Sequence, residues 1–289
     1  MQIEDIKKIG VIGSGTMGRG IAICSALSEI DTIVYDIKDE IVNSSKSLTE
    51  KDLSKSVEKK KLTEEKKSKA LKRLSFTSEF DDLSECDFII EAALENIDLK
   101  KDIFGRLDKI CREDAILSTN TSSISVTNIS TAVKTRPERV IGMHFFNPAH
   151  IMKLVEIVKG DFTSDEVLKA TVELTKKMNK VPVVAKDTPA FIVNRIARPF
   201  YGEALKILSE GTSDAETIDK LMKACGGFAM GPFELMDLIG IDVNFSVTKS
   251  VYEAYFNDPK YRPSFIQKKM VDANLLGRKT GRGFYNYEK

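Results

Sequence analysis

The sequence runs to 289 residues, with 44 basic and 43 acidic side chains, a formal net charge of +1 and 42% hydrophobic content. That length allows two domains of ordinary globular composition, and the cancelled charge removes any general reason to expect nucleic acid or an anionic membrane as partner. No apolar run approaches a membrane span. Met1 to Lys8 carry charge with no signal-peptide stretch and no room for a transit peptide, so a cytoplasmic location is expected.

In chain order, Lys8 to Ile12 reads as a buried strand, Met17 to Glu29 as the helix after it, and Thr32 to Asp36 as a second strand. Residues 40–74 then carry no strand signal. They are rich in lysine and read as two helices turning near Leu62-Thr63, an insertion that a plain nucleotide-binding fold does not need. Strand candidates resume at Asp87 to Glu91, Ala115 to Ser118, Val140 to Phe145, Leu154 to Val158 and Val181 to Ala185. Helical patterns lie between them at Leu99 to Ile110 and Asp165 to Met178. This alternation argues for an α/β doubly wound, largely parallel sheet.

Pro182 and Pro189 bracket the expected domain boundary, giving a first domain over 1–186 and a second over 187–289. In the second, Phe191 to Glu210 and Asp214 to Cys225 read as helices. The rest mixes short helical patterns with turns at Met230-Gly231-Pro232, Asp258-Pro259 and Gly281-Arg282-Gly283. A small all-helical unit of this kind buries its exposed face against a twin, so a homodimer is expected.

Cys24, Cys86, Cys111 and Cys225 are scattered without metal-ligand or redox spacing, and the chain has only two histidines, His144 and His150. The cysteines read as reduced packing residues, and no metal site is expected.

Gly13-Ser14-Gly15-Thr16-Met17-Gly18 follows the first strand and opens the first helix. Gly13 allows a tight turn, Gly15 lets backbone approach a pyrophosphate, and Gly18 lets the helix pack closely, while the helix N-terminus stabilises the anion. Asp36 closes the second strand at the distance expected of a ribose-binding carboxylate, which favours NAD over NADP; Lys38 nearby softens that preference. A Rossmann-type dinucleotide domain is the reading.

Gly142-Met143-His144-Phe145-Phe146-Asn147-Pro148 ends another strand, and a short connection leads into the strand carrying Glu156. A histidine beside aromatics is commonly a satisfied core residue. Two adjacent strand ends, however, can place a carboxylate on one ring nitrogen, which sets the tautomer and leaves the other nitrogen as a base. Residue types alone leave the catalytic and structural readings even.

The strings His144-Phe145-Phe146-Asn147-Pro148 and Met152-Lys153-Leu154-Val155-Glu156 resemble the signature of the 3-hydroxyacyl-CoA dehydrogenase family. Asn120-Thr121-Ser122-Ser123, Asp187 to Arg195, Gly231 to Leu235 and Gly277 to Tyr285 agree, in order and over nearly the whole chain. The short length and the lack of an attached hydratase domain resemble bacterial members that act on 3-hydroxybutyryl-CoA. The resemblance implies His144 as general base with Glu156 as partner, and Ser123 and Asn194 on the reacting oxygen. It also implies Glu95, Lys100, Ser123, Asn147 and Lys279 as dinucleotide contacts. By residue type alone Ser123 is equally a helical cap, Asn194 a polar helix residue, and Glu95, Lys100 and Lys279 solvated surface.

Lys55 and Lys59, one helical turn apart in the insertion, match family positions that resemble a coenzyme A contact, and the bland reading is a solvated helix face. Asp52 departs from relatives that place a serine there, since an acid cannot donate to a phosphate. His150 stands where relatives often have an apolar residue and is given no role. The expected reaction is reversible NAD-dependent oxidation of a short 3-hydroxyacyl-CoA, 3-hydroxybutyryl-CoA, to the 3-oxoacyl thioester acetoacetyl-CoA. A 3-hydroxyisobutyrate-type dehydrogenase relies on a lysine instead of a His/Glu pair. A crystallin-like or dinucleotide-sensing protein would not need Ser123, His144, Glu156 and Asn194 together.

Overall fold

Lys8–Ile12 (β1) is central to an eight-stranded sheet, as expected of an apolar run too short for a helix and buried on both faces. The computed structural model describes residues 3–287. The chain divides into two units, residues 1–188 and 189–289.

In the first unit, β1 leads through Thr16–Leu27 (α1) to Asp31–Tyr35 (β2). The lysine-rich insertion forms Asp39–Glu58 (α2) and Glu64–Lys72 (α3), followed by Leu74–Thr77 (β3). Then come Phe88–Glu91 (β4), Ile97–Ile110 (α4), Ile116–Thr119 (β5), Val126–Ser130 (α5), Val140–Phe145 (β6), Leu154–Lys159 (β7), Asp165–Lys177 (α6) and Val181–Lys186 (β8). The sheet order is β3-β2-β1-β4-β5-β6-β7-β8. From β3 to β6 every neighbouring pair is parallel; β7 reverses against β6, and β8 runs parallel to β7. The ends of β1, β4, β5 and β6 therefore share one edge, where ligands bind in sheets of this type. Val11, Ile21, Val34, Ile90, Ile116, Ile141 and Leu174 form one continuous core beneath that edge.

The insertion is two helices, as its pattern predicts. Val42, Ser45, Thr49 and Leu53 recur every three or four residues and form the buried stripe of α2. The Thr63 side chain accepts from Lys66 N–H and caps α3. The expectation of seven strands needs correction, because β3 begins at Leu74 as a parallel edge partner of β2. Four residues, Leu-Ser-Phe-Thr, with Ser75 exposed and the others half-exposed, give too short an alternation to stand out from the helix before them.

The second unit consists of Val193–Ser209 (α7), Ala215–Ala224 (α8), Pro232–Ile239 (α9), Ile241–Ala254 (α10) and Phe265–Asp272 (α11), joined by turns. Tyr201, Leu205, Ile218, Phe233, Met236 and Ile241 form its core. Two buried carboxylates tie distant segments together. Asp219 accepts from Phe233 N–H, Glu234 N–H and Tyr285 O–H, at 2.9, 2.8 and 2.8 Å. Asp237 accepts from the N–H groups of Phe284 and Tyr285, both at 3.0 Å. Among the described residues no helix is long and apolar enough to cross a membrane.

Candidate active site

The glycine turn lies at the end of β1. Gly13 sits at φ +92°, and a Cβ there would meet Ala92 O at 2.6 Å, so the turn requires glycine. A Cβ on Gly18 would come within 1.7 Å of Gly13 O, so this glycine admits the turn's own carbonyl as well as the sheet. Gly15 has open space where a Cβ would stand, and as N-cap of α1 it offers no side-chain cap to the first-turn N–H groups. An open cradle with donor N–H groups at a helix start fits a dinucleotide pyrophosphate.

Asp36 does more than its sequence position shows. Its Oδ2 accepts from both N–H and Oγ–H of Ser14, at 2.7 and 2.8 Å, and Oδ1 accepts from Ile37 N–H at 2.8 Å. The carboxylate thus braces the glycine turn while remaining half-exposed.

At the ends of β4 and β5 lies a charged network. Lys100, expected on residue type alone to be solvated, is 1% exposed, a correction with a simple cause. On α4 it shares the buried stripe with Ile103, Phe104 and Leu107, so its stem packs inward. Its Nζ lies 2.6 Å from Glu91 and 3.4 Å from Glu95. The Lys100 ammonium is thus held between two carboxylates at the sheet edge that bears the glycine turn. Glu91 also accepts from Ala93 N–H and from Thr119 Oγ–H, both at 2.7 Å.

Glu95 gathers the loop after β5. Its Oε1 accepts from Thr121 Oγ–H at 2.6 Å, Ser122 N–H at 2.9 Å, Ser123 N–H at 3.2 Å and Ser123 Oγ–H at 3.1 Å. Partial burial works against its ionisation, but the Lys100 cation and these hydrogen bonds outweigh it and hold the carboxyl below its ordinary range. Ser123 is therefore half-buried at the same sheet edge as the glycine turn. Glu91, Thr119, Asn120 and Thr121 join this network without being singled out by the sequence pattern. The available signal was polar side chains ending otherwise apolar strands.

His144 and Glu156 are direct neighbours in the antiparallel β6–β7 register, which puts both side chains on one sheet face. Nδ1 of His144 lies 2.7 Å from Glu156 Oε2, with the residues 6% and 0% exposed. The Phe146 ring packs on the imidazole at 4.5 Å between centroids. A cis bond joins Asn147, which is exposed, to Pro148. The connection onward is latched by buried Lys180, whose Nζ donates to Ala149 O and Met152 O at 2.6 and 2.8 Å.

Lys55 and Lys59 are exposed at the C-terminal end of α2. Asp52 lies 3.9 Å from Arg19, so the acid that departs from the family pattern faces a cation. Burial lowers the His150 pKa, with Lys180 and Arg19 adding to that effect and Asp52 opposing it. In the second unit Asn194 is the second residue of α7, and Lys279 lies on a short turn with its Nζ 2.6 Å from Asp242. Burial pushes the Cys86 thiol up to about 12 and the Cys111 thiol up to about 11, which keeps both protonated. Among the described residues no cluster of histidine, cysteine and carboxylates is suited to a metal ion.

Comparison with known proteins bears on this arrangement. The family model for the 3-hydroxyacyl-CoA dehydrogenase NAD binding domain matches residues 8–188, and that for the family's C-terminal domain matches 191–287. The chain is 44% identical to 3-hydroxybutyryl-CoA dehydrogenase of Clostridioides difficile, covering 98% of this chain and 100% of that one. It is likewise 44% identical to 3-hydroxyadipyl-CoA dehydrogenase of Escherichia coli over 98% of its length, but spans 59% of that longer protein. A solved structure of (S)-3-hydroxybutyryl-CoA dehydrogenase from Ralstonia eutropha superposes with a TM-score of 0.93 at 43% identity. That match covers 99% of this chain and 100% of the other.

Proposed function

The chain belongs to the 3-hydroxyacyl-CoA dehydrogenase family, and on that premise we propose that it interconverts 3-hydroxybutyryl-CoA and acetoacetyl-CoA with His144 and Glu156 as its acid–base pair. It is an NAD-dependent oxidoreductase of 3-hydroxyacyl-CoA thioesters. The observation that carries the residue assignment is the buried 2.7 Å contact between His144 and Glu156, fixed by strand register at the edge that also bears the glycine turn.

Gly13, Ser14, Gly15, Thr16, Met17 and Gly18 hold the dinucleotide pyrophosphate on the start of α1, and Asp36 faces the adenosine ribose. Asn147 and Lys279 contribute further contacts. Glu95 and Lys100 belong to the same set of dinucleotide contacts, with Lys100 also holding Glu95 in its ionised form. When bound, NAD would supply the acceptor for the hydride leaving C3 of the hydroxyacyl group, and its reduced form the donor in the reverse direction. His144, with Nδ1 committed to Glu156, exchanges the proton of the C3 oxygen through Nε2. Glu156 stabilises the imidazolium that results. Ser123 and Asn194 hydrogen-bond the reacting oxygen. Lys55 and Lys59 meet the phosphates of coenzyme A.

A homodimer formed through the helical unit is supported by the large apolar side chains that unit exposes, among them Ile196, Leu221, Phe228 and Phe265. A cytoplasmic location accords with four free cysteines, three of them buried and Cys225 exposed.

The test is NADH oxidation by the purified protein with 3-oxoacyl-CoA thioesters of increasing length, together with NAD reduction by 3-hydroxyadipyl-CoA. The highest kcat/KM is expected for the four-carbon acyl chain. A clear preference for the dicarboxylic or long-chain thioester overturns the substrate assignment, and sedimentation velocity checks the dimer.

A further inference from the structure

We infer that Asn120 is a positioning residue for His144, its side-chain carbonyl standing in for a strand that ends too early. This rests on the reading of His144 as the base. The last registered pair between β5 and β6 is Thr119 with Gly142. Strand β6 continues for three more residues, through His144 to Phe145, and β7 pairs with it along that stretch from the other side. Backbone N–H groups along a strand alternate between its two neighbours, so the end of β6 presents donors toward a place where β5 supplies no backbone partner.

Asn120 fills that place. Its Oδ1 accepts from Phe145 N–H at 2.8 Å, and the side-chain oxygen is the atom required there because a backbone N–H needs an acceptor. Its own N–H donates to Glu91 O at 2.6 Å, so the residue making the substitution is held by the end of β4. Three strand ends meet in one residue, two through its backbone and one through its side chain.

The contact falls on the residue directly after His144, which faces β7 and Glu156. Held by ladder bonds from β7 alone, this short strand end is free to twist away from β5 and carry the imidazole with it. Asn120 removes that freedom. It also opens the loop in which Glu95 collects Thr121, Ser122 and Ser123, so one residue sets the spacing between the serine loop and the histidine strand.

The experiment compares kcat, the KM for acetoacetyl-CoA and the NADH dissociation constant across wild type, Asn120→Ala, His144→Ala and the double variant. Asn120→Ala is expected to lower kcat about 10- to 100-fold, as sub-ångström to ångström misplacement of a catalytic group does, with KM and NADH binding within roughly threefold. In the His144→Ala background the same substitution is expected to add no further loss. Asn120→Ser, whose hydroxyl falls short of Phe145 N–H, serves if the alanine variant does not fold, and the same kcat loss is expected. An equal loss in both backgrounds overturns the inference, as does a fall in NADH affinity that accounts for the lost turnover. If His144→Ala keeps wild-type activity, the base assignment fails whatever Asn120 does. If His144→Ala is inactive and the Asn120 variants are unimpaired, only the positioning role falls.

Discussion

The β6–β7 hairpin and the α2–α3 arm each present a pair of functional candidates, and they do so in opposite ways. His144 and Glu156 are separated by twelve residues, buried, and brought to 2.7 Å by strand register. Lys55 and Lys59 are separated by four residues, exposed, and placed on one face by helical periodicity alone. Around the hairpin pair, Phe146 covers the ring, Asn120 holds the strand end and Lys180 latches the connection. Around the lysine pair there is water and further charge. Of the local ion pairs on α3, Lys69 with Glu65 is exposed and Lys67 with Glu64 is exposed on its acidic side.

The contrast teaches what each region can contribute. Desolvated groups in fixed geometry act with little reorganisation at the moment of reaction, whereas solvated cations on long stems are screened and lose entropy when they engage a ligand. Basic residues closing α2 also complement the partial negative charge at a helix C-terminus, an ordinary structural use that costs the protein nothing if no phosphate arrives. If the contrast holds, the size of a mutational effect should follow burial, from the hairpin outward to the arm.

The largest effect is expected at His144. His144→Ala should lose about 10²–10⁴ in turnover while NADH still binds, because the dinucleotide contacts come from other residues. Turnover with acetoacetyl-CoA beside a NADH fluorescence titration measures both, and near-full activity would remove His144 from the mechanism.

Lys100 comes next, and its effect should appear in stability. Lys100→Met leaves Glu91, fully buried, without its cation, and breaking a buried pair from one side costs about 3–5 kcal/mol. Urea unfolding reads this directly. A loss below about 1 kcal/mol would mean that Glu91 takes up a proton or a solvent path at little cost, against the expected penalty for an uncompensated buried charge.

Asp36 is intermediate, half-exposed yet bonded to Ser14. Asp36→Ala should weaken NADH by about tenfold, the scale of one charge-assisted hydrogen bond, and narrow the preference over NADPH. Should the wild type already use NADPH better, Lys38 dominates the ribose site and the assignment of Asp36 is wrong.

The smallest change is expected at the arm. Neutralising Lys55 and Lys59 together should raise the KM for acetoacetyl-CoA modestly, at about 0–1 kcal/mol per contact, and the rise should shrink in salt. A pantetheine thioester lacking the phosphates should show no such rise. Equal losses for both substrates would place the lysines in folding or arm position, and a loss rivalling that of His144→Ala would break the burial rule altogether.

Short spacings along the chain encode its turns and helices. Gly13, Gly15 and Gly18 mark a turn because backbone sterics act within a few residues. The ends of α3, α4, α6 and α8 are announced by Thr63, Asn96, Ser164 and Asp214, each accepting from an N–H three residues on. The two insertion helices and the second unit's first helices follow from 3.6-residue periodicity in the same local way, and β3 escapes because four residues carry too little of it. Tertiary structure alone decided the rest. The burial of Lys100, the collection of Thr121, Ser122 and Ser123 by Glu95 and the support of Phe145 by Asn120 all join residues on different elements, and strand register turns the expected pairing of His144 with Glu156 into a 2.7 Å contact. A lysine or glutamate carries no local mark of whether its charge will meet water or an opposite charge. That depends on which strands end beside one another, and strand order is settled by long-range packing of the core.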